Sequence, residues 1–545
     1  MPNQIQALVS KFEDIKVHWF DVAAVIAVSA IIAFIRVRDQ LPQLYPDEFL
    51  YVSAIRGDNA GDLPNYFYTL LYKPTAMCGE AFYTCMKGMN VLLFTLLLVL
   101  TFLIARKLVL LPYALLFVAF MGLGPLSGFT TLATPEMLFF VLSFAVIALF
   151  QYFKTETWLF WSGQALLNAL LLLTKPHGVF VTLGLVGFLI FQGVHTKRIL
   201  VNLARSLGFV FVTYTLVIAI RFILSGNLAF NPLGTRYSGA LAQSGETLTG
   251  GSTTLDSSYF HPFNLIWAFL QQLASHASVG LALVGVGFLV YMVQTFGKND
   301  INVDTVFVFI FGSLLAGTAV FSTLAVFWGE LLQIRLMPRY YEHLLLLAPL
   351  FFLRKSEPKT KLVYLLIGVI ITLILMLIQG KYIILPFDSY FLGIWVGLDL
   401  PLVLLALPSL VIGLLLLKNI ELAKVATIGG LFLMLIVFNA NFQIVTGSFK
   451  NPPQVVLDTY ELRDYLHTNS KNTIFVAADP NEYNRVKFWL PEDTTAFVNN
   501  PSVTAAELDA YKTEYDIVVV LNSAELEAGI EVTFQNESFN VIETS

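Results

Sequence analysis

The 545-residue chain is 57 % hydrophobic and only 13 % charged, about half the charge of a water-soluble domain, and its mean hydropathy is +0.73. Residues 450–545 carry sixteen acidic and six basic side chains, a net of −10, against a net of +5 for the first 449. These figures exclude disordered, collagen-like, disulfide-rich and nucleic-acid-binding chains, and describe a long apolar body followed by an acidic, water-soluble tail.

A bilayer core of about 30 Å takes roughly 20 apolar residues per helix, with every backbone polar group paired inside the helix. Apolar runs fall at 19–35, 89–105, 108–125, 135–152, 158–174, 177–193, 207–224, 277–295, 303–327, 342–353, 362–379, 399–417 and 425–442. The expectation is a polytopic α-helical membrane protein of about 13 spans, the tenth of them short. The first span has a basic flank and no small-residue cleavage site, so it reads as an uncleaved anchor. Lys11 and Lys16 precede it, and the turns after alternate spans carry Arg106, Lys107, Lys154, Lys197, Arg198, Arg205, Lys298, Arg354, Lys355, Lys359, Lys361, Lys418 and Lys424. With 13 spans all of these lie on one side, which the positive-inside rule makes cytoplasmic. The connections at 36–88, 225–262, 329–341 and 380–398 and the tail from 443 then lie outside. The expected organisation is a membrane domain at 1–449 with external loops at 36–88 and 225–262, and an external α/β domain at 450–545. In that domain helical patterns at 453–467 and 481–490 alternate with strand-like 473–478, 495–498 and 515–522, without a Gly-rich phosphate loop or metal-ligand spacing. The only two cysteines, Cys78 and Cys85, share the first external loop. Seven residues on a continuous helix span about 10 Å, too far for a disulfide, so their pairing requires a break near Gly79 and stays open on sequence grounds.

The informative residues are ionisable groups on the external face or at span ends, which are costly at membrane depth and point to function. After the first span, RVRDQLPQLYPDEFLYVSAIRGD carries Asp47, Glu48, Tyr51 and Arg56, and LYKPTAMCGEAFYTCMKG carries Lys73. GFTTLATPEMLFF places Glu136 at a helix start, LLLLTKPHGVF interrupts an apolar run with Lys175 and His177, and QIRLMPRYYEHLLLLAPL supplies Arg335, Arg339, Tyr340, Tyr341, Glu342 and His343. Each has a structural alternative. Asp47 or Glu136 could cap a helix N-terminus, Lys175 could snorkel, and Arg335 and Arg339 could anchor headgroups. Arg36 and Arg38 read as plain juxtamembrane charges, and His343 as a satisfied interfacial residue. Convergence favours function: two carboxylate sites and several cations share one face. That combination suits glycosyl transfer outside the cytoplasm, where the donor must be carried in the membrane. A polyprenyl phosphate is a competent leaving group, so Lys and Arg stabilise its growing charge and a carboxylate takes the acceptor hydroxyl proton.

These motifs resemble those of the GT-C integral-membrane glycosyltransferases, in the protein O-mannosyltransferase and aminoarabinose-transferase-like branch. PDEFLYVSAIRG matches a D-E-x-x-Y pattern after the first span, KP follows in the same loop, and ATPEMLFF matches a T-P-D/E at the fourth span. LLLLTKPHG matches an L-T-K turn, and RYYEHLLLLAPL a late R-Y-x-x-x-x-x-P segment. The resemblance is scattered over about the first 350 residues and does not reach the tail. It implies Asp47 as general base, Glu48 as shaping the same site, Lys73 near the donor phosphate and Glu136 as a second acidic site residue. It also places Lys175 and Arg339 at positions the family keeps basic. Arg335 and Arg56 are further candidate phosphate ligands, and Tyr51, His177 and Tyr340 candidate substrate contacts. The KPH turn departs from the common K-G-P, and the tail lacks a W-W-D-like signature, which argues against transfer of whole glycans to asparagine.

The expected function is an inverting glycosyltransferase using a polyprenyl-phosphate sugar, with a glycan, lipid or protein acceptor, membrane lipids as surroundings and no nucleic acid. No cofactor is required; a divalent metal is compatible with the chemistry and not indicated. The expected place is a bacterial or archaeal cell membrane, with the N-terminus cytoplasmic and the C-terminal domain periplasmic or extracellular. The Gly/Ser/Thr-rich segment 234–262 reads either as a linker or as a loop that orders over substrate. Alternatives are a transporter or flippase for an anionic lipid or solute, for which no internal repeat is visible, and a scaffold whose acidic tail recruits an external partner.

Overall fold

The structure, a computed structural model, describes residues 2–38, 46–56, 64–153, 155, 157–226, 262–284, 303–327, 334–353, 362–378, 382–383, 420–450, 454–468, 472–478 and 495–543. They fall in two compact units, one drawn from residues 1–37, 62–72 and 84–442, the other from 38–61, 73–83 and 443–545.

The helices in chain order begin with α1 (Pro2–Glu13), α2 (Trp19–Val37), α3 (Pro46–Arg56), α4 (Tyr66–Tyr72), α5 (Phe82–Leu108), α6 (Leu111–Leu123), α7 (Glu136–Tyr152), α8 (Trp158–Thr174), α9 (Gly178–His195) and α10 (Ile199–Ser225). They continue with α11 (Pro262–Val284), α12 (Val303–Phe327), α13 (Glu342–Leu345), α14 (Pro349–Phe352), α15 (Leu362–Ile378), α16 (Ile420–Lys450), α17 (Gln454–Thr468) and α18 (Ala505–Lys512). Among the described residues, Trp19–Val37, Phe82–Leu108, Leu111–Thr131, Gly178–His195, Ile199–Ser225 and Thr305–Thr323 are long and apolar enough to cross a membrane. Glu136–Tyr152 and Trp158–Thr174 are shorter apolar helices, and Glu342–Phe351 is an apolar stretch of short helical turns. The chain is a polytopic helical membrane protein with a small α/β domain at its C-terminal end.

In the membrane unit α8, α9 and α10 pack on one another, α9 lies along α12, α11 packs on α12 and α15, and α2 packs on α6. The α9–α12 approach depends on Gly184, where an added Cβ would stand 2.7 Å from the Ile310 Cα; small residues let helix backbones close up in this way. Two polar clasps tie distant segments. Arg36 donates to Ser127 Oγ at 2.9 Å and to Asn439 Oδ1 at 2.5 Å, and lies 5.0 Å from the Phe442 ring centroid. It is therefore a clasp between α2, the turn after α6, and α16, and not a plain juxtamembrane charge. On α1, Glu13 Oε1 accepts from Lys424 Nζ at 2.8 Å and from Tyr113 Oη at 3.1 Å.

Two predicted spans need correction. The tenth, 342–353, is not one helix but α13 and α14 joined by a turn at 346–348. Pro349 has no N–H to continue a helix and its ring crowds the carbonyl four residues back, so short bonds replace the regular ladder, Leu347 N to Leu344 O at 2.9 Å and Ala348 N to Leu345 O at 2.9 Å. Such backbone is tolerated in a membrane protein where it is buried in protein, and residues 336–348 are buried. Of the eighth span, expected at 277–295, residues 277–284 belong to α11, which starts at Pro262, and 285–295 lie outside the described residues. Gln271 and Gln272 lower the local hydropathy, whereas the exposed Phe263, Ile266, Trp267 and Leu270 sit at helical spacing and form an apolar stripe. The span expected at 399–417, the external connection 380–398 apart from 382–383, the segment 234–261 and the tail helix expected at 481–490 lie outside the described residues.

Both cysteines are disulfide-bonded. The required break is at Gly79, inside a 3₁₀ segment over Lys73–Ala81, with φ +57° and ψ −127°, a backbone conformation that glycine adopts without a Cβ penalty.

The tail holds a five-stranded sheet in the order β4-β3-β6-β9-β8, with β3 (Thr473–Ala477), β4 (Thr495–Asn499), β6 (Ile517–Leu521), β8 (Phe534–Gln535) and β9 (Phe539–Glu543). Short β1 (Ile334–Arg335) and β2 (Tyr382–Ile383) pair in the membrane unit, and β5 (Ser502–Val503) and β7 (Glu525–Leu526) in the tail. β3 runs parallel to β4 and β6, and β9 antiparallel to β6 and β8. Every residue of β3 and β6 is buried, as for strands covered on both faces. Leu462 and Leu466 of α17 pack with Phe475 and Val519 on one face, and Leu508 of α18 packs with Val476 and Val520 on the other. In the same domain Tyr465 donates to Glu543 Oε1 at 2.5 Å. Burial and that carboxylate push the tyrosine hydroxyl up to about 12.

Candidate functional site

Three loops of the membrane unit bring Glu136, Lys175, His177, Arg339 and Tyr340 together, and proline shapes each. Pro135 caps α7, so Glu136 is the first helical residue, where the helix dipole favours a carboxylate. Pro176 confines Lys175 to extended backbone, φ −157° and ψ 136°, which ends α8. Gly178 then starts α9 so close to α8 that an added Cβ would stand 2.7 Å from the Leu171 carbonyl carbon. Pro338 opens a 3₁₀ turn over Pro338–Tyr340 that carries Arg339. Two buried asparagines hold the first two loops. Asn90 of α5 accepts from Tyr72 Oη and donates to Leu132 O at 2.7 Å and Thr130 O at 3.3 Å, in the turn leading to α7. Asn65 Nδ2 donates to Thr174 O at 2.5 Å, beside Lys175.

At the centre Glu136 Oε1 accepts from Lys175 Nζ at 2.5 Å and lies 3.7 Å from Arg339 Nε. Glu136, Lys175 and Arg339 are 2 %, 4 % and 5 % exposed, so the charges meet in a water-poor interior where pairing governs their cost. Tyr340 forms the wall: Lys175 Nζ is 4.3 Å and Arg339 Cζ 5.1 Å from its ring centroid, and Arg339 Nη2 donates to its hydroxyl at 3.1 Å. His177 stacks on the same ring with centroids 3.8 Å apart and planes 24° apart. Its two ring nitrogens are buried with no hydrogen-bond partner among the described residues. His343, expected at an interface, is instead fully buried and stacks on Phe140 at 4.4 Å.

The other predicted residues, Arg335 apart, belong to the second unit. Asp47, Glu48, Tyr51 and Arg56 lie on α3, which starts at Pro46, so both carboxylate residues occupy its first turn; the Asp47 side chain is outside the described atoms. Glu48 and Tyr51, three residues apart, are buried, and Arg56 Cζ lies 3.9 Å from the Phe82 ring centroid. Lys73 is exposed at the start of the 3₁₀ segment before Gly79. Arg335 is placed through its backbone alone, in β1 paired with Ile383 of β2. Among the described residues no group of three or more His, Cys, Asp or Glu side chains could hold a metal ion.

Sequence reasoning passed over His276, whose Nδ1 is 2.9 Å from Tyr341 Oη and whose Nε2 is 3.2 Å from Ser322 Oγ. The signal was available: Gln272, Ser275 and His276 recur at helical spacing within an otherwise apolar α11.

No protein-family model matches the chain, and no curated protein matches it in sequence. Similarity lies in the solved structures. The chain superposes on the crystal structure of ArnT from Cupriavidus metallidurans bound to undecaprenyl phosphate with a TM-score of 0.55 and 15 % identity, over 96 % of this chain and 98 % of that one. The chain has a GT-C-like membrane glycosyltransferase fold. The apo structure of the same ArnT gives a TM-score of 0.50 and 13 % identity with the same coverage. At 96 % coverage the likeness includes residues of the tail, where no sequence motif had signalled it.

Proposed function

We propose that the chain transfers a sugar from a polyprenyl-phosphate-linked donor to an acceptor hydroxyl on the external face of the membrane, with inversion at the anomeric carbon. The observation that carries this reading is the shared fold over 96 % of the chain with an ArnT crystallised with undecaprenyl phosphate; the buried cluster of Glu136, Lys175 and Arg339 supports it. Fold alone does not specify chemistry, so the residue roles rest on what each group can do.

In this reading the Asp47 carboxylate takes the proton of the acceptor hydroxyl as its oxygen attacks the anomeric carbon from the face opposite the phosphate. The bond from that carbon to the phosphate oxygen breaks, its electron pair stays on that oxygen, and polyprenyl phosphate leaves. Glu48 shapes the surroundings of Asp47, and Tyr51, His177 and Tyr340 are assigned substrate contacts. Lys73, Arg56, Arg335, Lys175 and Arg339 are assigned to the developing phosphate charge, a role in which charge-assisted hydrogen bonds are strongest. Glu136, already taken up by two cations, serves by holding Lys175 and Arg339 in place. The chemistry needs no cofactor. The N-terminus is cytoplasmic and the tail external, in a bacterial or archaeal membrane, and the acceptor is a glycan, lipid or protein.

The deciding experiment is transfer in detergent from a radiolabelled polyprenyl-phosphate sugar to a hydroxyl acceptor, with the anomeric configuration of the product read by NMR. Transfer with inversion supports the reading. Movement of the lipid across vesicles without any transfer would replace it with a flippase.

A further inference from the structure

His276 lies outside the charged cluster, yet the geometry connects it to two members of that cluster. It projects from α11, and its ring is bonded at both nitrogens, to Tyr341 Oη at 2.9 Å and to Ser322 Oγ of α12 at 3.2 Å. All three side chains are fully buried. Tyr341 Oη also donates to the His276 carbonyl at 3.4 Å. One tautomer, assigned from this pattern, closes the set: Nδ1–H donates to Tyr341 Oη, the tyrosine hydroxyl donates to the carbonyl, and the serine hydroxyl donates to Nε2.

Tyr341 cannot shift alone. Its N–H bonds Pro338 O at 2.9 Å, the Tyr340 N–H bonds Met337 O at 3.3 Å, and the Leu344 N–H bonds Tyr341 O at 3.0 Å. The four residues from Pro338 to Tyr341 therefore form one tight turn that passes displacement at its end to Arg339 and Tyr340. The turn is held from two sides by histidines on different helices: His177, at the N-cap of α9, stacks on Tyr340, while His276 of α11 bonds Tyr341. A core histidine with satisfied nitrogens is ordinarily only packing. Here its partner adjoins the residues that face Glu136 and Lys175.

We propose that His276 is a positioning residue: through the Tyr341 hydroxyl it sets the Pro338–Tyr341 turn and so the placement of Arg339 and Tyr340 against Glu136, Lys175 and His177. The functional consequence rests on the glycosyltransferase reading; the structural one does not. A misplaced Arg339 weakens contact with the donor phosphate, so the effect falls on donor KM more than on kcat.

The test uses the full chain in detergent with a polyprenyl-phosphate sugar, comparing His276→Phe, His276→Gln and Tyr341→Phe. His276→Phe is expected to raise donor KM about tenfold, the loss of roughly one hydrogen-bonded anchor, with kcat within about threefold. His276→Gln, whose amide still reaches a hydroxyl, recovers most of that change, and His276→Phe with Tyr341→Phe is no worse than His276→Phe alone. Wild-type donor KM in His276→Phe, or effects that add in the double variant, overturns the proposal. Should the wild-type protein transfer no sugar, the glycosyltransferase reading falls and the positioning role is still read by hydrogen exchange. Faster exchange at the Tyr340, Tyr341 and Leu344 amides, with α7 unchanged, supports it, and unchanged exchange at those amides overturns it. Where His276→Phe does not fold, His276→Gln and Tyr341→Phe carry the same comparison.

Discussion

Glu136→Gln preserves the shape of a side chain on which two cations converge and removes only its charge. With Lys175 Nζ at 2.5 Å and Arg339 Nε at 3.7 Å, Coulomb's law at an effective dielectric of about 20 assigns roughly 6–7 and 4–5 kcal/mol to the two attractions. Most of this is offset by the cost of taking three charges out of water. The net loss on removing one partner of a buried pair is about 3–5 kcal/mol, because the remaining charge stays buried without compensation. Glu136→Gln should therefore lower the unfolding free energy by that amount, measured by tryptophan fluorescence as SDS is titrated into dodecyl maltoside micelles. Lys175→Met should cost less, since the Arg339 cation remains with Glu136. The double variant should show a coupling of about 2–3 kcal/mol between the two positions. A Glu136→Gln protein within about 0.5 kcal/mol of wild type, or strict additivity in the double variant, would refute the reasoning and leave the cluster as a fortuitous proximity of charges.

Three other outcomes follow from the same arguments. Asp47→Asn should reduce transfer by about 10²–10⁴-fold, the usual contribution of a general base, with expression and donor-lipid binding retained; wild-type turnover would remove Asp47 from the mechanism. Gly178→Ala should cost about 1–3 kcal/mol through overpacking against the Leu171 backbone 2.7 Å away, seen as a lower unfolding midpoint together with a raised donor KM as Lys175 shifts. In the tail, Glu507 closes a capping box with Thr504 at the start of α18. The Thr504 backbone N–H and hydroxyl, with Asn500, hold its carboxyl below the ordinary value. A carboxyl depressed in the folded state adds stability above its unfolded pKa of about 4.3, lost as pH falls through the lower folded value. The difference in tail stability between wild type and Glu507→Gln should thus be present at pH 6 and shrink as the pH is lowered below the unfolded value; a pH-independent difference would contradict it.

Much of the architecture was legible one segment at a time. Long apolar runs mark spans because the bilayer tests each segment against the same solvent, and most predicted runs coincide with helices. Where the local rule failed, a second local rule opposed it: Pro349 broke the tenth span, and the glutamines of α11 masked a helix whose apolar residues follow a 3.6-residue period. The candidate cluster was legible as a set of expensive charges at helix ends, which is why Glu136, Lys175, His177, Arg339 and Tyr340 stood out. Asn65 and Asn90 were not, since single polar residues in loops and helices carry no signal of their own.

Hydropathy, charge placement and proline spacing in the chain already specify a multi-span body, an acidic α/β tail and a short roll of costly side chains, because each acts through the medium its own segment meets. Which of those side chains share an oxygen, a ring or a hydroxyl came from folding. Lys175 reaches Glu136 across 39 residues, His276 reaches Tyr341 across 65, and Arg36 reaches Asn439 across 403. A buried charge or imidazole is stabilised by whichever partner packing brings within about 3 Å in a water-poor interior, and that partner is set by helix crossings and turns far away in the chain.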